Sequence, residues 1–220
     1  MPIMALNRIV YKISSLVCHQ HPERCLEIGG RLLPLCARCT GIYAGFLLAF
    51  LAVWIYSARN RFPGCEKQVC LLAGFILLAF IAEGFLSWKN LACAGNNLRF
   101  LSGLYGGASL GILVFHLLNS LLTKKNYFTK TKFTLKNFFC LLAFLFSFFV
   151  FAAYSGIPPT FYLLLVFSFG GLLFAYAAVN LAVVLAFTGN LTHKTSRIKI
   201  AGYILVLASV EFLILHLFRS

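Results

Sequence analysis

The sequence predicts an all-α integral membrane protein with about six transmembrane helices, preceded by a Cys/His-rich N-terminal segment. Of its 220 residues 61% are hydrophobic and 11% charged, against roughly 45–50% and 25% in soluble domains. Charged residues separate apolar runs of about 20 residues, the length that crosses a bilayer. Four cysteines and two histidines lie within residues 18–39, ahead of the first such run.

The excess of basic over acidic residues, nineteen to five, also bears on partners. In a soluble protein it would suggest nucleic-acid binding. Here the basic residues lie mainly between apolar runs, and no basic-aromatic groove pattern accompanies them. We therefore expect the lipid bilayer as a partner and no nucleic acid. The substrate, whether a small molecule or a lipid, and the oligomeric state stay open.

The first predicted domain is residues 1–38, at the membrane surface. Within it, residues 3–17 place apolar side chains on one helical face and Arg8 and Lys12 elsewhere. This period predicts an amphipathic helix that either lies in the membrane interface or packs on the bundle. Because no strong apolar run begins before Cys39, we expect no cleaved signal peptide.

The second predicted domain, residues 39–220, is the transmembrane bundle. Its spans are predicted at about 40–58, 68–88, 100–123, 137–154, 160–187 and 200–218. The fourth and fifth share an uncharged stretch that is too long for one helix. The motif SGIPP at 155–159 divides it, since proline lacks a backbone donor and disfavours helix just before it. Glycines spaced four apart, at 41 and 45 and at 103, 107 and 111, predict close helix packing.

Six spans place both termini on one side of the membrane. Eleven of the nineteen basic residues fall in the loops at 59–67, 124–136 and 194–199, and eight fall on the side of the termini. Because Lys and Arg are enriched in cytoplasmic loops, the charge distribution favours extracytoplasmic termini. The Cys/His-rich segment is then extracytoplasmic as well.

The Cys/His-rich segment has three interpretations. In the first it binds zinc: Cys36 and Cys39 form a C-x-x-C pair that places two thiolates on one side of the ion. An opposing pair then comes from the residues Cys18, His19, His21 and Cys25, across a loop with glycines at 29 and 30. In the second, the cysteines form catalytic or structural disulfides, with Arg38 favouring the thiolate. In the third interpretation, the cysteines are only small packed side chains. The two histidines favour the metal.

Three motifs add a resemblance to a known family. CHQHPER at 18–24, LCARCTGIYAG at 35–45 and NNLRFLSGLYGG at 96–107 resemble signatures of the domain-of-unknown-function 2085 family of prokaryotic membrane proteins. The resemblance covers about the first half of the chain and implies a prokaryotic plasma membrane, but no reaction. It implies the ligands Cys18, His19, Cys36 and Cys39. His21 and Cys25, where this sequence departs from the family pattern, become alternates.

Polar residues within or beside the spans form a second set: Glu83, Asn97, Arg99 and Glu211. Charged groups cost a few kcal/mol when they face lipid, so these should point inward, pair, or line a wet cavity. We predict a Glu83–Arg99 pair beneath the Cys/His-rich segment, with anchoring at the helix ends as the alternative.

Three further residues on the opposite side receive a simpler interpretation. Cys65 and Cys70 are secondary ligand candidates, because a buried cysteine commonly acts as a small apolar filler. His116 is predicted to be a hydrogen-bonded helix histidine, not a ligand.

Two functional classes follow from these residues. One is a small transporter or transporter subunit with a polar path through Glu83, Arg99 and Glu211. The other is a membrane-embedded enzyme, either a thiol–disulfide oxidoreductase using the CARC cysteines or a metal-dependent enzyme that modifies lipid. Four close ligands favour a structural zinc. No nucleotide-binding loop or HExxH motif occurs, which disfavours ATP-driven or zinc-protease chemistry.

Overall fold

The computed structural model describes residues 2–59, 65–89, 95–122, 133–155 and 157–188, with side chains from residue 10 onward. Five helices in this part of the chain are long and apolar enough to cross a membrane, which confirms the predicted class. A shorter helix, α1 (Pro2–Val17), precedes them. The five are α2 (Ala37–Arg59), α3 (Lys67–Trp88), α4 (Asn96–Leu122), α5 (Leu135–Tyr154) and α6 (Pro158–Thr188).

Helices α2 and α4 pack most closely, through glycines on both. A Cβ on Gly45 would collide with the backbone of Leu104 in α4, and a Cβ on Gly107 with the backbone of Ile42 in α2. Because glycine has no side chain, the two backbones come into direct contact. The structure thus forms the close approach that the glycine spacing predicts. The contact also holds the start of α2, which carries Cys39, against α4.

The other helices surround this pair. Between α2, α4 and α6 the ring of Phe50 packs edge-on against Phe115 and Phe174, with ring centroids 5.3 and 4.9 Å away. Helix α3 exposes large apolar side chains such as Phe75, which suits contact with lipid. Helix α5 ends at Tyr154 and α6 begins at Pro158. The helix therefore breaks where the SGIPP motif predicts.

Between α1 and α2 the chain forms a short antiparallel hairpin of β1 (Cys25–Ile28) and β2 (Arg31–Cys36). The predicted loop at the glycine pair is thus the turn of a hairpin, whose strands were not predicted from the sequence. Gly29 and Gly30 have φ of 58° and 74°, and a two-residue turn of this kind requires positive φ at both positions. Cys25 pairs with Cys36 in the register, so the hairpin returns β2 to the level of the earlier cysteines.

Specific polar contacts hold the hairpin on the end of the bundle. The Arg31 side chain donates a 2.7 Å hydrogen bond to the Tyr162 hydroxyl near the start of α6. The Asn96 side-chain amide in α4 donates to the carbonyl of Cys25 at 3.2 Å. On its other side, the hairpin receives α1, whose Tyr11 hydroxyl donates to the carbonyl of Leu32 at 2.6 Å. Helix α1 thus packs on the folded end of the bundle, as one of its two predicted positions requires.

Several predictions concern residues outside the described part. They are the sixth span at 200–218 with Glu211, and the side of the membrane on which the C-terminus lies. The division into domains at residue 38 and the extracytoplasmic orientation stay predictions.

Candidate metal centre at the end of the bundle

Three thiols meet where the hairpin joins the bundle. The sulfur atoms of Cys18, Cys36 and Cys39 all lie within 4.8 Å of one another. Cys18 follows α1 directly, Cys36 is the last residue of β2, and Cys39 lies in the first turn of α2. The hairpin turn therefore brings Cys36 and Cys39 back to Cys18, which lies eighteen and twenty-one positions earlier in the chain.

The environment of these thiols favours a shared negative charge. Hydrogen bonds from the thiols of Cys36 and Cys39 hold the pKa of Cys18 well below its ordinary value. The backbone N–H of Cys36 also donates to the Cys18 sulfur, at 3.3 Å, and donors to a thiolate stabilise it. The pKa of Cys36 is raised in turn, first because its thiol donates to Cys18. The arrangement thus favours the thiolate form of Cys18, the form that binds metals.

The remaining candidates of the segment occupy different positions. His19 and His21 are exposed and stack on each other, with ring centroids 6.1 Å apart, and neither belongs to the group of atoms within 4.8 Å. The Cys25 thiol donates to the carbonyl of His21 at 3.2 Å. Burial raises the pKa of Cys25 to about 11, which keeps this thiol protonated at neutral pH.

The thiol cluster borders a cavity of about 410 Å³ between the N-terminal segment and the end of α3. Its basic lining residues are His19, His21, Arg24 and Arg38, and α3 contributes Gly84, Ser87 and Trp88. No acidic side chain is among the described residues that line it. The cavity therefore combines the three cysteines with two arginines and two histidines.

The structure corrects the predicted Glu83–Arg99 pair. The Glu83 carboxylate accepts a 2.7 Å hydrogen bond from Arg38, and both side chains are largely buried, with 24% and 22% exposed. The Ser102 hydroxyl donates to the second carboxylate oxygen at 3.3 Å. Arg38 lies in the first turn of α2, and its side chain reaches Glu83 in α3, where the sequence predicted Arg99. The predicted ion pair thus exists with another arginine.

The side chains at the start of α4 also make different contacts from those predicted. Asn97 is exposed, whereas its neighbour Asn96 contacts the hairpin. The Nε atom of Arg99 is buried and has no hydrogen-bond partner within the described ranges. The sequence placed these residues at one level but could not say which faces inward, because that depends on the rotation of α4.

A second group of possible ligands lies elsewhere in the structure. The sulfur atoms of Cys65 and Cys70 and a ring nitrogen of His116 lie within 4.8 Å of one another. From the sequence, Cys65 and Cys70 were secondary ligand candidates, and His116, in another span, was predicted to be a hydrogen-bonded helix histidine. The order of the spans could have predicted this proximity, because consecutive antiparallel spans place the start of one helix beside the end of the next.

Comparison with known proteins agrees with the motifs. The family described as "Predicted membrane protein (DUF2085)" matches residues 18–113. An uncharacterized protein of Methanothermobacter thermautotrophicus is 36% identical over 101 residues, which are 44% of this chain and 83% of the relative. An uncharacterized protein of Methanocaldococcus jannaschii is 28% identical over 116 residues, 53% of this chain and 72% of the relative. No solved structure matches the chain.

Proposed function

This chain belongs to the DUF2085 family of predicted membrane proteins, and from that premise we propose that it is an integral membrane protein that binds zinc at the end of its helical bundle, near the membrane surface. Cys18, Cys36 and Cys39 would hold the ion, and three protein ligands would leave a fourth position for water or a substrate from the bordering cavity. The observation that carries the proposal is the convergence of three sulfur atoms to within 4.8 Å. The zinc would assist a reaction of an anionic group, from a lipid or a small molecule.

The spacing of the sulfur atoms suits zinc. With Zn–S bonds of about 2.3 Å, tetrahedral geometry places the sulfur atoms about 3.8 Å apart. The sulfur atoms, at most 4.8 Å apart, would therefore need to move closer to one another by about 1 Å or less to bind zinc. Thiolates are soft ligands that select zinc over magnesium or calcium. The N–H donated by Cys36 supports the charge on Cys18.

The cavity supports an anionic substrate. Arg24 and Arg38 line it together with two histidines, and guanidinium groups bind carboxylate or phosphate through parallel hydrogen bonds. Glu83 accepts from one nitrogen of Arg38 and so orients the guanidinium. A zinc ion with an open position supplies Lewis-acid chemistry. Ser87 and Trp88, at the end of α3, also line the cavity, so we expect it to lie near the lipid head groups.

Zinc analysis of the purified full-length protein in detergent tests the binding. We expect Cys36→Ser to lose one equivalent relative to the unmodified protein. Cys140→Ser, an exposed cysteine of α5 outside both ligand groups, should lose none. If Cys36→Ser keeps all the zinc, the proposal is wrong. A reversible Cys36–Cys39 disulfide in metal-free protein would instead support the thiol–disulfide oxidoreductase.

The role of His19 is tested in the same preparation. If three thiols and an open position form the site, His19→Ala should keep the zinc. Loss of one equivalent would make His19 the fourth ligand and the zinc structural. For the substrate, cobalt can replace zinc, and added inorganic phosphate should change the cobalt absorption spectrum. Arg24→Gln should weaken this response, and a spectrum that phosphate leaves unchanged would contradict an open site.

Transport is a second candidate, favoured by polar groups beneath the cavity. A hydrogen-bonded group between α2, α3 and α4 consists of Glu83, Arg38 and Ser102. Arg99 lies three residues before Ser102 in α4, and its Nε atom is buried and has no hydrogen-bond partner among the described residues. Glu211 would extend this path in the predicted sixth span. Uptake of zinc or phosphate into proteoliposomes should then fall in Glu83→Gln. Equal uptake by both proteins would remove Glu83 from a transport path.

A further inference from the structure

We propose that Cys65, Cys70 and His116 form a second zinc site, toward the opposite end of the bundle from the thiol cluster. Their two sulfur atoms and one ring nitrogen lie within 4.8 Å of one another. Cys65 precedes α3, Cys70 lies in its first turn, and His116 belongs to the second half of α4. Since the family match ends at residue 113, His116 adds a ligand from outside the matched region.

The two sites are far apart along the helices. Glu83, beside the first site, follows Cys70 by thirteen residues of α3, which corresponds to about 20 Å at 1.5 Å per residue. That separation is a large part of the roughly 30 Å hydrocarbon thickness of a bilayer. A metal at one site therefore shares no ligand with the other, and each can be removed alone.

Backbone contacts hold Cys65 in place. It forms a β-bridge with Phe133, and the next residue, Glu66, donates its N–H to the Phe133 carbonyl at 3.2 Å. The Glu66 carboxylate accepts the N–H of Leu135, the first residue of α5, at 3.1 Å. It thereby satisfies a helix-end donor and suits the positive end of the helix dipole. These hydrogen bonds thus hold the segment before α3 against the start of α5, and they fix the position of the backbone that carries the Cys65 side chain.

His116 supplies an independent indication of a ligand. Its Nδ1 atom is buried and has no hydrogen-bond partner among the described residues. An unsatisfied buried polar atom costs about 1–3 kcal/mol, and an ion is one of the partners that explains such an atom. The predicted role of His116 as a hydrogen-bonded helix histidine therefore does not hold for Nδ1. A metal ion bound at Nδ1 would supply the missing partner of this nitrogen.

The chemistry of the three ligands selects the metal. Two thiolates and one imidazole are a zinc ligand set, and three protein ligands leave one position for water or an added ligand. Calcium and magnesium prefer oxygen ligands. No carboxylate belongs to this group of ligand atoms, and the Glu66 carboxylate is bonded to the start of α5. The site therefore differs from the first in having two sulfur atoms and one nitrogen.

The test uses full-length protein in detergent, with zinc measured per chain and cobalt as a spectroscopic probe. Cys70→Ser and His116→Gln should each lose one equivalent, and Cys140→Ser should lose none. The Cys36→Ser variant, which lacks the first site, should still bind cobalt and show thiolate-to-cobalt charge transfer. Adding Cys70→Ser to that variant should abolish the band. Full zinc retention in both single variants would overturn the second site.

A second measurement guards against variants that do not fold. In the Cys36→Ser protein, zinc should slow the alkylation of Cys65 and Cys70 by a maleimide at least tenfold, while Cys140 reacts at an unchanged rate. Equal rates with and without zinc would contradict the second site. Failure of the first site has a different signature, since Cys36→Ser would then keep every equivalent of zinc.

Discussion

Replacing Gly107 with alanine places a methyl group into the contact between α2 and α4. The new Cβ would overlap the carbonyl oxygen, carbonyl carbon and Cα of Ile42. These are backbone atoms, which cannot move aside as the end of a flexible side chain does, so the two helices must separate. Gly74 in α3 provides a matched control, because a Cβ there meets no atom within 4 Å.

The size of the effect follows from two opposing contributions. Forcing an extra methyl group into a packed interface costs about 1–3 kcal/mol, and overlap with three backbone atoms places Gly107 at the upper end. Alanine favours a helix over glycine by about 1 kcal/mol, but this gain is common to Gly107→Ala and Gly74→Ala. The free energies of unfolding of the two variants should therefore differ by about 3 kcal/mol.

Thermal unfolding of both variants in one detergent measures this difference. At about 2–4 °C per kcal/mol for a chain of this size, Gly107→Ala should melt about 6–12 °C below Gly74→Ala. Gly45→Ala, whose Cβ would overlap the Leu104 backbone, should resemble Gly107→Ala. Equal melting temperatures for the Gly107 and Gly74 variants would refute direct backbone contact between α2 and α4.

Three further predictions concern the polar and turn contacts. Glu83→Gln should lower the free energy of unfolding by about 1–3 kcal/mol in denaturant titrations, because Arg38 is 22% exposed and loses its counter-charge. This value lies between those for exposed and buried ion pairs. An unchanged free energy of unfolding would mean that the pair is solvated. Gly30→Val should cost about 1–2 kcal/mol at a φ of 74° and speed hydrogen exchange of the hairpin amides, whereas unchanged exchange would argue against the described turn. Tyr162→Phe, which loses the hydrogen bond from the hairpin, should increase proteolysis of the N-terminal segment, and an unaltered cleavage rate would count against this anchor.

The hydrophobic pattern was sufficient to predict the class of the protein and the five long apolar helices that the structure describes. A run of about 20 apolar residues can satisfy its backbone in a bilayer only as a helix, so length and composition alone are informative. The glycines of α2 and α4 are equally direct evidence, since their spacing places them on one helical face. The C-x-x-C pair similarly has its two cysteines close together in sequence, and the structure adds Cys18 to them.

Chain order alone did not decide among the other ligands; the family resemblance favoured Cys18 and His19, and the structure brings only Cys18 to the C-x-x-C pair. His19, His21 and Cys25 share one short segment with Cys18, and their order along the chain does not distinguish them. The hairpin decides, because the pairing of Cys25 with Cys36 commits the Cys25 thiol to the His21 carbonyl. It leaves the Cys18 sulfur to accept the N–H of Cys36.

The sequence by itself determined how deep each polar residue lies along its span, because depth follows from counting residues at 1.5 Å each. Tertiary structure alone decided which residues face one another, because facing depends on how each helix is rotated about its axis by packing. The contact between α2 and α4 directs Arg38, and not Arg99, toward Glu83. The antiparallel pairing of α3 and α4 brings His116 to Cys70, although forty-six positions separate them in the sequence.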